Sequence, residues 1–209
     1  MKWTDRRADR GAALTRAPSE CVARPPDPSR AAWIALGRIA FRSPILLGGV
    51  AARSGMRCDT CHRNGHGNPA FFIDGVSSES GTADVTGSLF SRSRDDGVSN
   101  PVPIPSLVDA ASNPPFGSVA PKADLRDFLI AVVVDEFQGP LPPSAVTEGL
   151  LAYLGALRST ACPAHAVEAV EALARTRDAL RRVIRELRVR ASQSFYDPEF
   201  LEEKLLEAN

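Results

Sequence analysis

The sequence predicts an all-α protein with long irregular loops and a C-terminal helical extension. Apolar residues recur at three- and four-residue spacing on both sides of the chain's middle. No alternation of strands and helices of the βαβ kind is legible. Between Gly65 and Pro105 the composition shifts to glycine, serine, asparagine, aspartate and proline, with short apolar islands at Phe71-Phe72-Ile73, Val85 and Leu89-Phe90. These features divide the chain into a flexible arm over 1–28, a domain over 29–160 and a helical extension over 161–209.

The arm is rich in Arg, Asp, Ala and Pro without periodicity, and Pro25-Pro26 and Pro28 punctuate its end. Asp27-Pro28 has the form of an N-cap followed by a first-turn proline. Trp33, Leu36, Gly37, Ala40 and Phe41 then share one helical stripe, which Ser43-Pro44 stops. Pro101, Pro103 and Pro105 at alternate positions enforce an extended path. Lys122 to Phe137 predicts a helix with Leu125, Phe128, Leu129, Val132 and Val133 on one face, closed by Gly139-Pro140. Ser144 is the expected cap of a helix that turns Val146, Leu150, Leu154 and Leu157 inward, with Cys162-Pro163 breaking it. A long helix is expected over 164–191, with Val170, Leu173, Leu180, Ile184 and Leu187 near heptad spacing, and a short one over 199–207. The long helix is a candidate for self-association.

Composition narrows the function classes. Of 209 residues, 44% are apolar, enough for a core. Lys and Arg total 25, as do Asp and Glu, so there is no basic excess to suit nucleic acid. No apolar run reaches the roughly 20 residues of a membrane span. Phe128 to Val134 is the best, and Asp135 and Glu136 close it off as buried core.

The stretch with chemistry in it is Cys58-Asp59-Thr60-Cys61-His62. Cys-x-x-Cys-His is the attachment sequence of a c-type haem. Two thiols three residues apart stand about one helical turn apart, so both can add to the vinyl groups on one edge of a porphyrin. The adjoining imidazole then supplies the proximal bond to iron. A zinc site of Cys58, Cys61, His62 and His66 would need its second pair to follow the first with no intervening module. A thioredoxin-like pair would need the absent βαβ setting. The motif therefore predicts one covalently attached haem c held by Cys58, Cys61 and His62, with His62 as the iron ligand. Its second ring proton should pass to a backbone carbonyl.

Other residues have plainer expectations. Arg57, Arg63 and Arg92 are candidates for haem propionates, although an arginine in such a position is more often solvated. Cys21 and Cys162 form an even pair for which an oxidising compartment permits a disulfide, or they are two unrelated thiols. Gly81 to Thr86 has turn character with one carboxylate, too few ligands for calcium.

Leu36-Gly37-Arg38-Ile39-Ala40-Phe41-Arg42-Ser43-Pro44, followed by Arg57 and the Cys58–His62 motif, resembles the haem-domain opening of bacterial diheme cytochrome c peroxidases and their relatives. Ile104-Pro105-Ser106-Leu107 and Pro114-Pro115-Phe116-Gly117 are similar to later segments of that family, and Leu151 to Leu157 to the closing helix of cytochrome c domains. The resemblance covers about 30–160. It implies a cytochrome c-like haem domain whose first and closing helices cross beside the haem. The family's enzymes carry two haems, whereas this chain has one motif.

The resemblance places a second axial ligand, methionine or tyrosine, after the Pro-Ser-Leu segment, where this chain has Phe116. The methionines are Met1 and Met56, and Met56 lies on the approach to the proximal face. His165 is the distal candidate; His66, Lys122, Tyr153 and water remain. Without a strong sixth ligand the iron would be high-spin and open to peroxide or a small gas. The expected function is single-electron transfer by a monohaem cytochrome in a bacterial redox chain, with a redox protein as partner. The alternatives are a peroxidase-like enzyme, drawing an acid–base group from His66, Glu79 or Asp84, and a haem-based sensor with the C-terminal helix as output. Haem attachment implies a periplasmic location. The first thirty residues, polar and arginine-rich, show no apolar leader.

Overall fold

The computed structural model describes residues 17–90, 94–118 and 120–162. The expected helices over 164–191 and 199–207, His165, Arg92 and the arm up to residue 16 lie outside the described residues.

The described chain is mainly helical, with one two-residue strand pair. Helix α1 spans Pro28–Phe41. It starts where expected because the Asp27 carboxylate accepts from the Arg30 amide at 2.8 Å, a cap contributing about 1 kcal/mol. Its buried stripe is Ile34, Gly37, Ala40 and Phe41. The expected stripe was one residue off at its start, since Trp33 is 38% exposed and Ile34 takes the inward place. The partner helix explains this. Helix α5, Ser144–Ala156, buries Gly149, Leu150, Tyr153 and Leu154. A Cβ on Gly37 would stand 1.8 Å from the Gly149 carbonyl oxygen. The two backbones touch there, so the register of the stripe follows glycine rather than tryptophan. Phe41 and Tyr153 pack with ring centroids 5.2 Å apart.

Helix α2 covers Gly49–Ser54 and helix α3 the single turn Cys58–Cys61. Helix α4, Leu125–Ala131, continues into a π-turn over Val132–Glu136. It begins three residues later than the sequence suggested. Asp124 caps it by accepting from the Arg126 and Asp127 amides, while the backbone of Lys122 is committed to Phe116 in both directions at 2.8 Å. At α5 the cap position belongs to Pro143, and Ser144 is the first helical residue without a capping bond.

Two apolar clusters form the interior. One joins Ile34, Phe41, Leu46, Val133, Leu150 and Tyr153, with Cys58 packed against it. The other joins Leu47, Ala51, Met56, Phe71, Val76 and Phe90, with Cys61 packed against it. The motif helix therefore lies at the seam between the clusters. The second cluster is built from the irregular stretch after residue 65. There Phe71 is fully buried, strand β1 (Thr82–Ala83) pairs antiparallel with β2 (Val102–Pro103), and the Ile104 amide reaches the Gly81 carbonyl. Asp84 is buried, accepting from the Thr86 amide and hydroxyl and the Asn100 amide. Its oxygens thus serve the loop's own donors.

Residues 17–28 of the arm, whose whole length the sequence suggests is flexible, make contacts with the domain. Val22 bridges to Leu157, Cys21 is 1% exposed, and Cys21 is disulfide-bonded to Cys162. A bond closing so long a loop contributes about 2–4 kcal/mol. Glu20 collects Arg38, Arg42 and the Tyr153 hydroxyl. Burial pushes its carboxyl up, but these bonds and charges outweigh that and hold it below its ordinary value. A charged cluster spread over the arm, α1 and α5 cannot be read from composition, which shows only a polar segment.

Candidate functional site

A cavity of about 680 Å³ opens between the two clusters. That is within the range of a sizeable cofactor site, about 300–1,000 Å³. Phe41, Leu46, Leu150 and Leu154 wall it from one cluster, and Leu47, Met56 and Ala83 from the other. The α4 face of Leu125, Phe128, Leu129, Val132 and Val133 closes another side. The stretch Phe128 to Val134, expected as buried core, is thus chiefly cavity wall: of its residues Val133 alone is fully buried.

Cys58, Cys61 and His62 all line this cavity. One helical turn suffices to gather them. The Arg57 amide donates to Thr60 Oγ1 at 3.1 Å, and the His62 amide closes on the Cys58 carbonyl at 2.8 Å. Both cysteines are free thiols, and burial pushes each up to about 12, so they stand protonated at neutral pH.

His62 Nδ1 lies 3.0 Å from the Pro105 carbonyl oxygen. A carbonyl only accepts, so Nδ1 carries the proton and Nε2 keeps its lone pair. Burial also lowers the ring's pKa, against the opposing pull of the Pro105 bond, which keeps the imidazole neutral. This is the state a metal-ligating histidine requires. The carbonyl that the sequence left unnamed comes from the proline-rich segment. That segment lies along the motif loop, because the Leu107 amide donates to the Gly65 carbonyl at 2.8 Å.

The loop after His62 is fixed from behind. Asn64 adopts a left-handed φ of 52°, its amide bonds Asp59, and its side chain joins the Pro18 carbonyl and Arg42. His66 turns away from the cavity: its Nε2 lies 3.1 Å from the Ser19 carbonyl, to which it donates. It does not line the cavity with Cys58 and Cys61, and the four residues of the zinc arrangement are not gathered. Among the described residues no group of three or more His, Cys, Asp or Glu converges on a metal-sized point.

The other sequence candidates scatter. Met56, Arg57 and Phe116 line the cavity, whereas Tyr153 does not; its hydroxyl is given to Glu20. Lys122 lines a smaller adjoining cavity of about 300 Å³ with Arg94 and Asp135. Glu79 and Asp84 belong to the loop's internal bonding, through the Glu79 carbonyl to Thr82 and the Asp84 side chain to Thr86.

One pair was missed. Glu136, 8% exposed, lines the cavity and binds Arg94 at 2.9 Å. Burial pushes its carboxyl up to about 7 although Arg94 pulls it down. The signal was present in the sequence, since Glu136 continues the spacing of Leu125, Phe128, Leu129, Val132 and Val133. Composition alone shows it as the polar end of an apolar run.

The site fits a covalent porphyrin on its own chemistry: an apolar cavity, two free thiols at its edge and one neutral imidazole with a free Nε2. Among the described residues no helix is long and apolar enough to cross a membrane. No protein-family model, curated protein or solved structure matches the chain.

Proposed function

We propose that the chain is a monohaem c-type cytochrome that passes single electrons to and from a redox protein in a bacterial periplasm. Cys58 and Cys61 would hold the haem through thioether bonds and His62 Nε2 would ligate the iron. A haem so bound supplies a one-electron couple whose potential follows from axial ligation and burial. The observation that carries this reading is the His62–Pro105 hydrogen bond, which fixes the ring's tautomer on a residue lining a large apolar cavity beside two free thiols. The backbone contact of α1 and α5 at Gly37 and Gly149, next to that cavity, supports a cytochrome c-like arrangement. The Cys21–Cys162 disulfide, buried at its Cys21 end, is in keeping with an oxidising compartment.

The chain's residues divide the work. Apolar walls exclude water and bring the effective dielectric down. Pro105 orients His62, and the Arg42–Asn64–Pro18 contacts hold the following turn in place. Glu136 and Arg94 favour a second reading, a peroxidase-like enzyme, because an acid–base group of near-neutral pKa in a cavity wall suits proton transfer. Oxidised and reduced optical spectra, with a peroxide assay using a reduced dye, test the two. The carrier reading expects a covalent haem spectrum with reversible reduction and slow dye oxidation. Rapid peroxide-dependent oxidation would replace it with the enzyme reading.

A further inference from the structure

We propose that Glu136, paired with Arg94 in the cavity wall, is a redox-linked proton site: it takes up one proton when the bound haem gains an electron and releases it when the electron leaves. The proposal rests on the haem reading above and goes beyond it, since an electron carrier needs no such group. Its basis is placement. Glu136 is a buried carboxyl in a wall otherwise made of Phe128, Val132, Val133 and Phe137, with Arg94 as its ion-pair partner.

A carboxylate there is stabilised by whatever positive charge the cavity holds. Ferric porphyrin carries one more positive charge at its centre than ferrous porphyrin. When a one-electron donor reduces the iron from the +3 to the +2 state, that charge is lost and Arg94 alone faces the carboxylate. In a wall of low dielectric the change is felt strongly. The carboxylate answers by binding a proton from water, –COO⁻ becoming –COOH, so one electron and one proton enter together. Burial already brings this carboxyl into the neutral range, where a modest change of field moves its occupancy.

The groups facing Glu136 do not duplicate the role. Cys58 and Cys61 on α3 cease to titrate once bound as thioethers, and His62 is neutral and already bonded to Pro105. Arg57 and Arg94 are the cationic side chains of this lining. The segments of α1, α5 and the 44–47 turn that reach the cavity contribute Phe41, Leu150, Leu154, Leu46 and Leu47, none of them ionisable. The neighbouring Asp135 lines the smaller cavity with Lys122, which shares Arg94, Phe128 and Val132 with the main one and offers a polar route for the proton. The rival proton acceptors are the propionates of the haem itself.

The experiment is a spectroelectrochemical titration of the full haem-loaded chain from pH 5 to 9, with haem attachment verified on the same sample. The wild-type potential should fall with rising pH at a slope approaching about 59 mV per unit, the one-electron equivalent of a tenfold change. Glu136→Gln should flatten the slope in that window, and reduction should raise an infrared band of a protonated carboxyl that the variant lacks. A flat wild-type profile with haem attached overturns the proposal and leaves the haem reading standing. An equal slope in Glu136→Gln assigns the proton to the propionates and also overturns it. If Glu136→Gln does not load haem, Arg94→Gln decides: the window should move to higher pH, and an unmoved window is contrary to the proposal. A chain that carries no covalent haem removes the reading and the proposal together.

Discussion

The two clusters that flank the cavity are built by different means. The α1–α5 half is regular: two long helices, the first capped by Asp27, a stripe of buried residues, and backbones touching at Gly37 and Gly149. The half over 66–105 has one two-residue strand pair and is held by side chain-to-backbone bonds around Thr82, Asp84 and Ser77 and by a fully buried Phe71. The first half is centred on its own helix pair, with Leu46 and Val133 joining the same cluster. The second packs Phe71, Val76 and Phe90 against Leu47, Ala51 and Met56, with Cys61 of the motif helix beside them. The cavity thus lies between a regular half and an irregular one.

Three changes probe that division, beginning with the largest. Phe71→Ala removes a fully buried ring and should cost about 3–5 kcal/mol. Amide exchange should rise across 66–105 while α1 and α5 stay protected; an equal rise in both halves would make them one cooperative unit. Gly37→Val forces a side chain into the Gly149 carbonyl and should lower stability by about 3 kcal/mol, near the top of the overpacking range. Gly75→Ala, at φ +79° with open space around it, strains only the backbone and should cost about 1–2 kcal/mol. Thermal denaturation of both variants separates contact from strain, and equal losses would deny the close approach of the helices.

The smallest expected effect is a pH dependence. Glu136 has its folded pKa raised, so native chain holds a proton that the unfolded chain has already lost between about pH 4.5 and 7. Its contribution is fully present below the unfolded value and fades as pH rises through 7. Without haem, stability should fall by about 2 kcal/mol between pH 5 and 8 through this group. Denaturant titrations at the two pH values should show that fall in the wild type and not in Glu136→Gln. A fall of equal size in the variant would place its source elsewhere.

Much of the regular half was legible in the sequence. Asp27-Pro28 marked the start of α1, and the spacing of Leu150 and Leu154 marked α5, because capping and helical periodicity are local properties. The stripe of α1 was misaligned at Trp33 because a helix–helix contact through glycine leaves no apolar signal. The irregular half was legible only as a composition, since the bonds that order it join residues such as Asp84 and Asn100 that no period relates. In the site, Cys58, Cys61 and His62 were readable because the motif packs its chemistry into five residues. The Pro105 carbonyl and Arg94 carry no such local signal, being brought there by folding over 43 and 32 residues from His62, while Glu136 is marked only by its place on the α4 stripe.

The central claim is that two sulfurs of this chain hold a porphyrin by covalent bonds. Full-length protein expressed with haem-attachment machinery, then denatured and extracted with acidified organic solvent, tests it most directly. The account predicts that the colour stays with the polypeptide and is lost from it in Cys58→Ala/Cys61→Ala. Colour that passes into the solvent from the wild-type chain would contradict it.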